Sequence, residues 1–196
     1  MKKDDKLIFL KNLAEETSIL RKSMVEELGP NILELAAVIS GVIGTGGKLL
    51  LAGNGGSAAD SSHFAGEMIV RLSADRNRQA LPAIALSADT AVLTAAANDF
   101  GFENVFARQV EGLGQKGDML FVLSTSGNSP NLIKAVDTAK RIGMITVGLL
   151  GNNGGKLASA VDRALVIPHP STQRVQEEHI FIIHLLVELV EGDLIK

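Results

Sequence analysis

Three short segments concentrate the glycines and small polar residues of this chain: Gly53-Asn54-Gly55-Gly56-Ser57, Ser124-Thr125-Ser126-Gly127-Asn128-Ser129 and Gly151-Asn152-Asn153-Gly154-Gly155. Each follows a short apolar run and leads into a helix start, where free N–H groups favour anions. The second segment has the sharpest chemistry. Its serines and its threonine supply hydroxyl donors, Gly127 lets the backbone curl, Ser129 suits an N-cap and Pro130 the first helical position. It contains no Lys or Arg, so hydroxyls and backbone N–H groups would hold a phosphate monoester. The plainer alternative is a serine-rich turn with an ordinary cap. For the first segment, the alternative is glycines that only permit tight strand–helix packing.

Neither common nucleotide fingerprint fits. A Walker A loop would need glycine at Leu150 and Ser or Thr at Leu157. In the dinucleotide pattern Gly53 and Gly55 are correctly spaced, but Ala58 holds the last position, an allowed variant that weakens the reading. His63-Phe64-Ala65-Gly66-Glu67 places an imidazole and a carboxylate at i and i+4, on one helix face. That pair could ligate a divalent metal, or Glu67 could act as a base beside the imidazole. A solvent-facing pair is the alternative. In the final helical segment, RVQEEHIFIIHLLVELV, His184 lies among apolar neighbours, as a core histidine also would. Gln176 and His184 are separated by about 12 Å of helical rise and about 80° of rotation, so meeting at one ion would stretch both. His179 is a rival ligand.

These groups need elements to position them. Residues 5–28 carry apolar or small side chains three or four apart and read as one long helix. Gly29-Pro30 is expected to end it, with a second helix from about Asn31 to Ile43, broken by Gly44-Thr45-Gly46-Gly47. Apolar runs at 48–53, 81–87, 118–124, 144–150 and 163–168 read as strands. Helices are expected at 57–71, near 89–97, at 102–113, at 130–143 and from about 172 to 191. Five apolar strands separated by helices indicate an α/β protein with a parallel sheet covered on both faces. The long first helix is not needed to close that sheet. It either caps it or packs in an oligomer.

Composition narrows the function. With 196 residues the chain is expected to form a single domain, residues 1–196. Its 19 basic and 22 acidic residues give a net charge of −3, which argues against nucleic-acid binding through a basic face. Cysteine is absent, removing disulfides, thiolate nucleophiles and cysteine-ligated metals. Any metal must use His, Asp, Glu or amide ligands. The start carries Asp4 and Asp5 and only four apolar residues in a row, too few for a signal peptide. The apolar run 180–190 is too short to span a bilayer and contains His184 and Glu188. No membrane association and a cytoplasmic location are the expectations.

GNGGSAADSSHFAGEM, ALPAIALS, AANDFGF, STSGNS and RVQEEHIFIIH stand in the order and spacing of the phosphoheptose isomerase family, which the chain resembles over nearly its whole length. The resemblance implies a flavodoxin-like sugar-isomerase (SIS) sandwich, with helices 1–45 making oligomer contacts and 46–196 forming the sugar-phosphate core. It implies a cytoplasmic homotetramer with one zinc ion per subunit, converting sedoheptulose 7-phosphate to D-glycero-D-manno-heptose 7-phosphate for bacterial surface polysaccharide. Carried over residue by residue, it places Asn54, Gly55, Gly56, Ser57, Asn98 and Asp99 on the substrate and Ser124, Thr125, Ser126 and Ser129 on its phosphate. His63, Glu67, Gln176 and His184 resemble the zinc ligands; Glu67 and Gln176 also face substrate, and Glu67 and His184 match the acid–base pair. Gln173 departs from the family, some members of which have Asp there. The rival is a non-enzymatic relative that binds the bacterial replication initiator. It shares the fold and glycine loop, but its pattern lacks a Glu at position 67 and a His at position 184, both present here.

Overall fold

The computed structural model describes residues 2–194; Met1, Ile195 and Lys196 of the expected 1–196 domain lie outside the described residues. Strands β1 (Leu49–Gly53), β2 (Ala83–Ala85), β3 (Met119–Ser124), β4 (Ile145–Gly151) and β5 (Arg163–Ile167) form one sheet in the order β2-β1-β3-β4-β5. Every pairing is parallel. This is the flavodoxin-like doubly wound order, whose ligands sit outside the carboxyl ends of the strands.

The helices are α1 (Lys3–Gly44), α2 (Gly56–Ile69), α3 (Thr90–Phe100), α4 (Val105–Leu113), α5 (Pro130–Ile142), α6 (Gly155–Ala160) and α7 (Thr172–Leu194). Successive side chains of a strand face opposite sides of a sheet. Leu49 and Leu51 accordingly pack with α1, α2 and α7, while Leu50 and Ala52 pack with α3, α4, α5 and α6. Both layers are apolar, which is why β1 and β3 are buried along their whole length and read as unbroken hydrophobic runs.

The expected break at Gly29-Pro30 is overturned: α1 is one helix of 42 residues with Pro30 inside it. The apolar stripe explains this. Met24, Leu28, Ile32, Leu35, Ala36, Ile39 and Val42 keep helical spacing across the proline and pack in the same core. An internal proline costs about 3 kcal/mol. Burying Ile32, Leu35, Ile39 and Val42 contributes about 1.5–3 kcal/mol each, and outweighs it. The first half of α1 is different, leaving Leu7, Ile8, Phe9, Leu10 and Ile19 exposed. By length and hydropathy α1 also qualifies as a membrane span, but its second half lies in the chain's own core.

Smaller departures follow local chemistry. The strand expected at 81–87 pairs only over Ala83–Ala85. The helix expected at 102–113 opens as a 3-10 turn, Phe102–Asn104, before α4. The helix start expected after the third glycine segment is the short α6, six residues long.

Candidate active site

Residues Asn54 to Glu67 run from the end of β1 through the glycine turn into α2. Phe64 is fully buried and meets Phe121 of β3 edge to face, with ring centroids 5.4 Å apart. This contact fixes how α2 rotates on the sheet, and so which side chains it presents to α7. Gly56 lets the Gln176 side-chain amide rest directly on the backbone of α2, where a Cβ would push that amide away. Gln176 of α7 is therefore seated on the first turn of α2.

Further along both helices, His63 Nε2 lies 2.8 Å from His184 Nε2, and the two rings are tilted by 45°. Glu67 Oε1 lies 3.5 Å from His63 Nε2. His63, Glu67 and His184 thus come together where α2 faces α7. Gln176 lies near Gly56, not at the histidine pair. Among the described residues no three His, Asp or Glu side chains already form a cation cage. The donor chemistry nevertheless suits zinc: two imidazole nitrogens face each other with a carboxylate beside them, without need of a thiolate. Two facing ring nitrogens need a proton or a cation between them, since both cannot present lone pairs.

His179, the rival ligand, is sealed away. It is fully buried, and its two ring nitrogens make no hydrogen bond. Burial lowers its pKa to about 4, with the Leu150 carbonyl pulling the other way. Asp60 was not singled out from sequence. It precedes His63 by three residues on α2, a spacing that could have flagged it. Its Oδ2 is buried without a partner. Desolvation pushes its pKa up to about 6, against the pull of His63. A carboxyl whose charged form is disfavoured by burial thus stands one turn before His63 on α2.

The hydroxyl loop is built from its own atoms. Ser124 Oγ accepts from the Gly127 amide at 3.0 Å, and Ser126 Oγ from the Asn128 amide at 3.3 Å. Asn128 Oδ1 accepts from the Lys156 amide and the Gly127 carbonyl from the Leu157 amide, tying the loop to α6. Gly127 has φ +64°, and a Cβ there would strike the Gly154 carbonyl. Ser129 precedes α5, but its side chain makes no capping bond, contrary to the sequence reading. Its carbonyl starts the helix instead, receiving the Leu132 and Ile133 amides. The Ser129 hydroxyl is left free for a ligand. Thr125 is half-buried.

One unexpected link joins the two loops: Asn54 and Asn131 exchange side-chain amide hydrogen bonds of 3.0 and 2.9 Å. Ser57 is buried, and Gly55 is exposed at the turn. Asn98 and Asp99 end α3, exposed and bonded to each other at 2.8 Å. The structure does not bring them to the histidine pair. Lys134 of α5 bonds Glu103 and Asn104 in the turn that follows, so their corner stands beside the start of α5. Gln173 is exposed and accepts from the Ser171 hydroxyl at the start of α7.

A model of the SIS domain matches residues 13–151. The phosphoheptose isomerase of Chlorobaculum parvum is 50% identical over 174 residues, 88% of this chain and 83% of that protein. The phosphoheptose isomerase of Trichlorobacter lovleyi is 48% identical over 184 residues, 94% and 92% of the two chains. Among solved structures, the phosphoheptose isomerase of Francisella tularensis superposes with a TM-score of 0.91 at 33% identity, covering 98% of this chain and 100% of that one. The Neisseria gonorrhoeae phosphoheptose isomerase gives 0.88 at 38% identity, covering 95% and 98%. The chain belongs to the SIS domain family and, within it, to the phosphoheptose isomerases. The SIS match ends before α7, the helix that supplies Gln176 and His184.

Proposed function

We propose that this chain is an aldose–ketose isomerase that converts sedoheptulose 7-phosphate to D-glycero-D-manno-heptose 7-phosphate, a precursor for bacterial surface polysaccharide. The observation that carries this reading is the meeting of His63 and Glu67 with His184 where α2 faces α7, on the helix that starts at the glycine turn. His63 lies about 10 Å of helical rise beyond Gly56. An open-chain seven-carbon sugar can span such a separation with its phosphate on the hydroxyl loop and C1 and C2 among the titratable groups.

Isomerisation removes a proton from C1 of the ketose and returns one to C2, through an enediol(ate), while a second group moves the hydroxyl proton. Glu67 and His184 are the pair assigned to these transfers. Ser124, Thr125, Ser126 and Ser129 hold the phosphate, and Asn54, Gly55, Gly56 and Ser57 line the sugar. Asn98 and Asp99 are assigned to the substrate by family position. We assign one zinc per subunit to His63, Glu67 and His184, with Gln176, whose amide rests on Gly56, as the fourth donor by family position. Bound there, zinc would polarise the substrate's oxygens or hold its open chain in place. Incubating purified protein with the ketose phosphate and following aldose formation tests the reading. Absence of turnover with zinc supplied would overturn it.

Assembly belongs to the same proposal. Two concavities lie along α1, away from His63, Glu67 and His184. One, of about 820 Å³, is bordered by Lys11, Ile19, Leu20 and His169. Together with the exposed Leu7, Ile8, Phe9 and Leu10, they support self-association through α1; the homotetramer and the cytoplasmic location are assigned by family resemblance. Leu20 already packs on its own chain's core, so Leu10 and Ile19 are the cleaner positions to charge. The double variant L10K/I19K should run below tetramer mass by light scattering, and an unchanged mass would count against this interface.

A further inference from the structure

We infer that Arg78 and Glu191 form a buried bolt that positions Glu67 for the reaction, a role resting on the isomerase reading above. The last four carbonyls of a helix have no partner within it, and α2 carries no basic residue in its last turn. Arg78 supplies what α2 lacks, reaching in from the segment between α2 and β2. Its Nη2 donates to the Glu67 carbonyl at 2.7 Å, and its Nη1 to the carbonyls of Met68 at 2.8 Å and Gln79 at 3.0 Å. Its Nε donates to Glu191 Oε1 of α7 at 2.8 Å. The Arg78 side chain is 3% exposed and that of Glu191 0%. One planar guanidinium therefore grips the backbone of Glu67 and, through Glu191, the helix that carries His184 two turns earlier.

This arrangement is not explained by stability alone. Replacing a buried ion pair by apolar groups of similar volume is often neutral or stabilising. Here, however, the cation also holds the main chain of a residue assigned to proton transfer. Lysine could keep the charge but cannot match the fork that reaches three carbonyls and a carboxylate. Arg78 is a positioning residue, acting on Glu67 through its carbonyl and on the spacing of α2 and α7.

The test compares the parent with R78M and R78M/E191M, assayed well below their melting temperatures. R78M should melt lower, because Glu191 loses its hydrogen-bonded arginine and, of its two cationic partners, keeps only Arg76, at 3.8 Å. Its kcat should fall about 10- to 100-fold, the effect of displacing a reacting group by about an ångström, with KM within about twofold. The double variant removes the stranded carboxylate, so Tm should recover while kcat stays low. Recovery of both would reduce the pair to a purely structural contact and overturn the proposal, as would full turnover by R78M. Should R78M fail to fold, the double variant decides alone. Amide hydrogen exchange supplies a readout independent of turnover. In the double variant, exchange should accelerate at Glu67–Val70 and not along β1 or β3, and unchanged exchange there would overturn the bolt even if the parent proved inactive. Inactivity of the parent itself would instead strike the isomerase reading.

Discussion

The hydroxyl loop after β3 and the groove between α2 and α7 are assembled in opposite ways. Ser124 and Gly127, or Ser126 and Asn128, are bonded partners two or three residues apart. His63 and His184 are 121 residues apart, and nothing local brings them together. The loop gets its shape from its own hydrogen bonds and one glycine with positive φ. The groove gets its shape from the docking of two helices, through Phe64 on Phe121, Gln176 on Gly56 and the Arg78–Glu191 pair. A local loop is suited to holding a charged group firmly. Proton transfer needs groups from distant segments set at close range, and so depends on packing far from the chemistry.

The contrast predicts different kinetic signatures. The largest effect is expected from Glu67→Gln, which keeps the shape but removes the base. Its kcat should fall about 100- to 10,000-fold with circular dichroism and Tm little changed. Unchanged turnover would remove Glu67 from the mechanism.

The docking of α7 should itself depend on pH through His179, whose folded pKa of about 4 lies below the ordinary 6.5. The fold holds the ring neutral, so this stability is present above pH 6.5 and is lost as pH falls from there through about 4. The loss amounts to about 3 kcal/mol. Urea unfolding at pH 7.5 and 4.5 should show a shallower acid loss in His179→Phe than in the parent. Equal slopes would show that His179 is not kept neutral by burial.

At the loop, replacing Ser126 and Ser129 together with Ala removes two hydroxyl donors, worth roughly 0.5–1.5 kcal/mol each. KM should rise about 5- to 150-fold while kcat holds, and inorganic phosphate should inhibit less. A fall in kcat alone would dissolve the division of labour between loop and groove.

The smallest effect concerns Asp60, whose pKa is raised by desolvation to about 6 from 3.8. Its penalty on the fold is absent below pH 3.8, grows as pH rises through about 6 and is complete above that. With the group only half-buried and solvent screening included, Asp60→Asn should stabilise the metal-free protein by about 1 kcal/mol at pH 8 and not at pH 3.5. Equal gains at both would assign the effect to packing.

Much of this molecule is written in short-range pattern. The five strands announce themselves as apolar runs because parallel strands are buried on both faces. The Ser124–Ser129 loop is legible because its donors, its glycine and the proline that opens α5 are neighbours in the chain. His63 and Glu67 could be paired because helical spacing alone puts them on one face. Even where Pro30 suggested a helix end, the uninterrupted stripe from Met24 to Val42 carried the information that one helix continues; its burial had to be known before it could be weighed against the proline. Tertiary structure alone decided which of two histidines on α7 enters the groove. His179 and His184 are five residues apart, about 140° around the helix, and only docking onto β4 and α2 buries one and turns the other toward His63. It also decided that Asn131 steadies Asn54 and that Arg78 and Glu191 close the end of α2. Those pairings join segments with no shared periodicity, and their physical cause is the cost of leaving a buried amide, guanidinium or carboxylate without a partner once the apolar faces have packed.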